Sequence, residues 1–157
     1  MRVMIDSEIT LVAGNSIFQI RVGAGSSDRS MTVTVTLDGR FEWTFDQPAW
    51  RPLSYGCGSG VPYLWSARSL IALPVRLDRD PEVIEVDEDL LLAFKVDVGW
   101  LLVCETSVRL LAERGEAARV EFGDVVEYAR WERGELVVHD ARGLVTRVGL
   151  AEDRLIY

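Results

Sequence analysis

The chain has 157 residues, 48% of them hydrophobic, with five tryptophans and a formal charge of −8. That much apolar material excludes a disordered chain, and the length suits one domain with a sizeable core. The negative charge, with its Lys and Arg scattered, argues against a nucleic-acid partner, because phosphate binding relies on clustered basic residues that release counterions. No apolar run approaches the ~18 residues of a membrane span. Acidic residues in Met1–Glu8 interrupt the apolar core that a signal peptide needs, so a cytoplasmic protein with no membrane partner is expected.

In chain order the signals are those of strands. Ile9–Ile20 reads as two short apolar segments joined by a polar turn, and Gly23–Ser30 reads as a surface loop. Met31–Leu37 alternates apolar residues with threonine, as a half-buried strand does. Asp38-Gly39 is a favoured turn pair, and Arg40–Asp46 alternates again with Phe41, Trp43 and Phe45 on one face, a row expected in the core. Gln47–Pro52 is expected to be irregular, because its two prolines remove donors and restrict the residues before them. Gly56–Gly60 suits a tight turn or bulge. It lacks the lysine and helix start of a phosphate-cradling loop.

Glu82–Val86, Leu90–Val96, Trp100–Cys104 and Ser107–Leu111 then form one series of four strands. Ala118–Phe122, Val125–Trp131, Glu135–His139 and Leu144–Val148 form another. Over Ser107–Arg119 a helix competes, since Ser is a good N-cap and Leu, Ala, Glu and Arg favour helices, although Gly115 weakens it.

The two series repeat. Gly99–Leu111 is echoed by Gly134–Val145, by an earlier Gly60–Leu73 and faintly by Ile9–Ile20, at a spacing of about 35 to 39 residues. Asp97-Val98-Gly99 and Glu132-Arg133-Gly134 stand as matching turns. This two-hairpin unit resembles a blade of the quinoprotein-like or WD-type β-propeller repeat families, over Glu82–Leu150 above all. The WD signature with its Gly-His pair is absent, and Trp131-Glu132 opens a turn instead of ending a blade. The resemblance implies a scaffold or ligand binder. The expected fold is a single all-β domain over residues 1–157, built of antiparallel hairpin repeats as a small or incomplete propeller, with a barrel or sandwich as the alternative. Four blades are needed to close a ring, and Arg154–Tyr157 is a candidate strand to complete the half unit at Ile9–Val22.

Chemistry-bearing residues are few. His139 is the only histidine; its neighbour Asp140 points to the opposite face of a strand, and Cys104 holds the same place in the preceding repeat, which suggests a half-buried packing position. Cys57 and Cys104 form no CxxC pair and read as buried free thiols, so no metal site and no disulfide is indicated. The acidic run Asp78–Asp89 offers oxygen ligands to a hard cation but lacks the glycine of a calcium loop, and a solvated edge or a surface for a basic partner fits better. Trp50, Arg51, Tyr55 and Cys57 lie on the irregular Trp50–Gly60 segment, where aromatic and Arg residues are the usual anchors of a binding site.

The expectation is a non-catalytic binding or assembly module without a cofactor. It contacts a protein partner or a small apolar ligand through residues 50–60, and homo-oligomerisation is an option. The alternative is a small all-β enzyme or carrier with an apolar pocket lined by Trp50, Arg51, Tyr55 and His139, in which Tyr55 or His139 moves the proton.

Overall fold

A computed structural model describes residues 7–76, 78–152 and 154–157. The segment Met1–Asp6, read above against a signal peptide, lies outside them. The described residues form strands and no helix. The strands are β1 (Ser7–Ala13), β2 (Ser16–Ala24), β3 (Ser30–Leu37), β4 (Phe41–Pro48), β5 (Ser54–Gly58), β6 (Val61–Ser66), β7 (Ser69–Ala72), β8 (Glu82–Glu85), β9 (Leu90–Val96), β10 (Gly99–Cys104), β11 (Ser107–Ala112), β12 (Gly115–Glu121), β13 (Val126–Glu132), β14 (Glu135–Asp140), β15 (Val145–Ala151) and β16 (Arg154–Ile156).

They make four separate four-stranded sheets, β1–β4, β5–β8, β9–β12 and β13–β16, each an antiparallel meander in chain order. No sheet closes on itself, and the repeated unit has the make-up of a propeller blade. The chain divides into two compact units, one ending at Glu85 and the other beginning at Val86.

In the first unit, pairing of Phe18 with Leu37, Ile20 with Val35 and Val22 with Val33 puts the apolar members of β2 and β3 on one face. That face packs with Leu64, Ile71 and Leu73 of the second sheet region, while Trp43, Phe45 and Leu53 flank the same core. Each fully buried residue of this kind contributes roughly 1.5–3 kcal/mol. Thr32, Thr34 and Thr36 take the opposite, polar face, where Ser7, Glu8, Arg21, Thr32 and Thr34 line a shallow depression of about 440 Å³. In the second unit, Leu101, Val103 and Val108 pack with Val126, Leu136, Val138 and Val148. Trp100–Cys104 is buried at every position, which is why this stretch reads as an unbroken apolar run and not as an alternating strand.

Several expectations need correction. The sheet boundaries fall one strand later than the repeat suggests: β8 closes the second sheet instead of opening the third, and β12 closes the third instead of opening the fourth. Apolar alternation is the same in either grouping. What decides it is where the chain leaves one sheet for the next, over residues 86–89 and 122–125. Ile9–Ile20 is the first hairpin of its sheet, β1–β2, whereas the other copies span second and third strands. The half unit is therefore a whole sheet, completed by β3 and β4. Arg154–Ile156 pairs with β15 and completes the fourth sheet instead.

Ser107–Arg119 is two strands. Gln47 and Pro48 continue β4, an edge strand whose outward side tolerates a proline.

Gln47 is 6% exposed, and its Oε1 is buried without a hydrogen-bond partner among the described residues. An unmet buried acceptor costs about 1–3 kcal/mol, and an apolar group of similar shape removes that cost. Gln47→Met is therefore expected to raise the thermal midpoint by a few degrees, read by circular dichroism; a lower midpoint would show that the amide is satisfied.

Candidate functional site

The segment from Trp50 to Gly60 links the first sheet to the second and supplies its first strand. Trp50 is 57% exposed in the turn after β4, and Tyr55 is 51% exposed on β5. Arg51 is half-buried at the bend, where its carbonyl accepts a hydrogen bond from the Ser66 hydroxyl at 3.2 Å. Tyr55 and Cys57 alternate with glycines and pair with Leu64 and Pro62, so their side chains share one face.

Cys57 is exposed, contrary to its reading as a buried thiol; Cys104 alone is buried. The reason is local. β5 is an edge strand, so Cys57 has a cross-strand neighbour, Pro62, on one side only. Gly56 is required for a different reason: a Cβ there would lie 2.8 Å from the Tyr63 ring, which crosses the strand and stacks on Trp65 with centroids 5.8 Å apart.

The backbone of β5 is directional. Ser59 and Gly60 both have positive φ (50° and 73°), which makes the β5–β6 turn a two-residue one of the type that hydrogen-bonds its flanking pair. Gly58 is then bonded to Val61, and by alternation Gly56 and Ser54 also face β6. Pro62, opposite Cys57, has no N–H, and its carbonyl accepts instead from the Leu73 N–H at 2.9 Å. The N–H and C=O of Tyr55 and Cys57 therefore point away from the sheet. No described backbone group pairs with them.

His139 lies in the second unit, on β14, opposite Tyr128 of β13. The rings stack with centroids 4.2 Å apart, and the Tyr128 hydroxyl and His139 Nε2 are hydrogen-bonded at 2.9 Å. The half-buried environment expected of His139 is found. Tyr128 and Val145, its neighbours across the strands, are 45% and 49% exposed. Such a pair can pass a proton, but on an open sheet face it lacks the water exclusion that strengthens acid–base chemistry. Asp140 turns to the other face and caps the following turn, accepting from the Arg142 and Leu144 N–H groups at 3.0 and 2.9 Å.

The most elaborate polar cluster was not foreseen from the sequence. Arg109, 5% exposed on β11, is held by Glu88 and by Asp87 at 2.5 Å, both from the segment before β9. Glu88 also accepts from the Thr106 N–H at 2.8 Å and the Ser107 hydroxyl at 2.5 Å. Burial opposes the charge on Glu88, but the bonds from Ser107, Thr106 and Arg109 outweigh it and hold its carboxyl down to about 2. The same burial pushes the Cys104 thiol up to about 11, so it is an inert packing group and not a nucleophile. Part of the acidic run thus clamps an arginine instead of holding a cation. Among the described residues no group of three or more His, Cys, Asp or Glu is placed to hold a metal ion. The available signal was an arginine at an otherwise apolar strand position.

No helix among the described residues is long and apolar enough to cross a membrane. No protein-family model matches the chain, and no curated protein matches it.

Proposed function

We propose that this chain is a non-catalytic, cytoplasmic binding or assembly module that holds a protein partner along Trp50–Gly60. The observation that carries the reading is the exposure of Trp50 and Tyr55, at 57% and 51%, on a segment fixed by a rigid sheet. Large aromatics in such positions are the usual anchors of protein recognition. Tyr55 and Cys57 stand on an exposed edge strand, a setting that favours a partner over an enclosed substrate or carried ligand. The exposed free thiol of Cys57 suits a reducing compartment. The propeller-like repeat supports the same reading, as a frame that presents its connecting segments.

The test is a photo-crosslinking amino acid at position 55 in living cells, with the same group at Thr34 on the polar face as control. A discrete protein adduct is expected at position 55 only, reduced at least about fivefold by Trp50→Ala, a loss of the size expected for an aromatic anchor. Absence of any adduct at position 55, or an adduct indifferent to Trp50→Ala, would overturn the proposal.

A further inference from the structure

Among the described residues eight strands lie at sheet edges: β1, β4, β5, β8, β9, β12, β13 and β16. Edges are hazards, and proteins guard them with charged residues or proline. Seven of these strands follow the rule, carrying Glu8; Glu42, Asp46 and Pro48; Glu82 and Glu85; Lys95; Glu116, Arg119 and Glu121; Glu127, Arg130 and Glu132; and Arg154. β5, reading Ser-Tyr-Gly-Cys-Gly, carries neither a charge nor a proline. Its outward backbone groups are those of Tyr55 and Cys57.

We propose that β5 is an assembly edge and that its occupant is a second copy of this chain, added antiparallel so that two four-stranded sheets become one of eight strands. The inference rests on the reading of residues 50–60 as a contact segment and names the partner. Charge allows the copy, and the two-fold register selects it. Across a two-fold axis an uncharged strand meets an uncharged strand, whereas β8 paired with itself would set glutamates near glutamates, where like charges destabilise. The register follows from the geometry. With the axis at Gly56, Tyr55 of each copy faces Cys57 of the other, and these are the residues with free N–H and C=O groups. All four outward groups of each strand are then used, in two hydrogen-bonded pairs that together make four bonds. The two Gly56 residues meet at the close, non-bonded position, where neither has a side chain to obstruct the approach. An axis at Tyr55 or at Cys57 would leave outward groups unmet.

The seam carries no charge while each chain carries −8, so the copies repel at long range and salt relieves the repulsion. Sedimentation equilibrium of the purified full chain should show a monomer–dimer equilibrium that tightens between about 0.05 and 0.5 M NaCl, values of the order set by screening. Cys57→Pro removes the outward N–H and leaves the β5–β6 ladder untouched, as edge positions allow. It should weaken the dimer about tenfold or more, through loss of two cross-chain bonds, while circular dichroism stays that of the parent. Cys57→Lys, which keeps the N–H but places a guarding charge beside the seam, should weaken it likewise and serves if the proline variant fails to fold.

A dimer that survives in folded Cys57→Pro or Cys57→Lys, or one that salt dissociates, overturns the β5 seam. A chain that stays monomeric at all concentrations overturns the second copy as occupant, yet leaves the wider reading standing if position 55 still captures a protein of another mass in cells. Capture of neither fails both.

Discussion

Gly99→Ala is expected to unfold the second unit or to cost it more than about 3 kcal/mol, the range of a strained and overpacked site. Two independent features of the backbone require glycine there. Its φ of +153° lies where residues with a side chain rarely go. A Cβ would also stand 1.9 Å from the Leu111 carbonyl oxygen, a backbone atom of the adjacent strand that cannot swing away. Gly99 is the first residue of β10 and pairs with Ala112, so relief of the clash would pull β11 from β10 at the centre of its sheet. Gly134, its counterpart in the sequence repeat, supplies the control. It has a φ of +83°, and a methyl group added there would meet nothing within 4 Å. Gly134→Ala should therefore cost only the conformational term, about 1 kcal/mol. Denaturant unfolding of the two variants side by side checks the contrast, and equal losses would show that the close approach at Gly99 has no energetic weight.

Loss of the Glu88–Arg109 pair should be the second large effect, and it should depend on acid. Glu88 has a folded value of about 2 against its ordinary 4.5, so its stabilisation is complete above 4.5 and disappears as the pH falls from 4.5 toward 2. Asp87 titrates in the same direction: the hydrogen bond and charge of Arg109 hold its carboxyl below the usual range. Glu88→Gln should cost about 2 kcal/mol at neutral pH, after discounting for the solvent that reaches the carboxylate, or roughly 4–8 °C in thermal midpoint. The gap to the parent should shrink as the pH falls toward about 2, where the folded Glu88 carboxyl is half protonated. Removing Arg109 instead, by Arg109→Ala, leaves the two carboxylates with only the more distant Arg119, 3.4 Å from Glu88 and 3.9 Å from Asp87, and opens a space in a buried site, at a cost of about 3 kcal/mol. The double variant Glu88→Leu with Arg109→Met should lose far less than the two single losses together, because an apolar pair of similar volume often replaces a buried ion pair at little cost. Additive losses, or a gap that persists unchanged in strong acid, would deny the coupling.

The all-β architecture was legible in the sequence because threonine–valine alternation in Met31–Leu37 and the turn pairs Asp38-Gly39 and Arg133-Gly134 are local signals. Local chemistry fixes a hairpin. It does not fix which hairpins share a sheet, and so the grouping slipped by one strand. Glu82–Val86 reads equally well as the last strand of one meander or the first of the next. The matching turns show the same limit: Gly134 lies within its two-residue turn, whereas Gly99 follows one and opens β10. The aromatic content of residues 50–60 drew attention to an exposed segment. The property that sets β5 apart is an absence, no charge and no proline, and it has meaning only once the strand is known to be an edge. Glu88 and Arg109 were hidden because their pairing spans two strands and a loop, and nothing in either neighbourhood announces the other. Tyr128 went unnoticed beside His139 because a cross-strand partner depends on register.

One property of the sheets reaches beyond the site. Among the described residues every ladder joins strands that are consecutive in the chain, so none of these strands waits for a distant segment before it can pair. Closing such short loops costs little chain entropy, and all-β proteins are usually slow folders because they lack this economy of reach. A meander of this kind is also a portable segment of gene. Its strand ladders begin and end within itself, although the Val126 N–H of the fourth sheet donates to the Glu105 carbonyl of the third at 2.7 Å, so a copy inserted or deleted at a junction rethreads no ladder of the others.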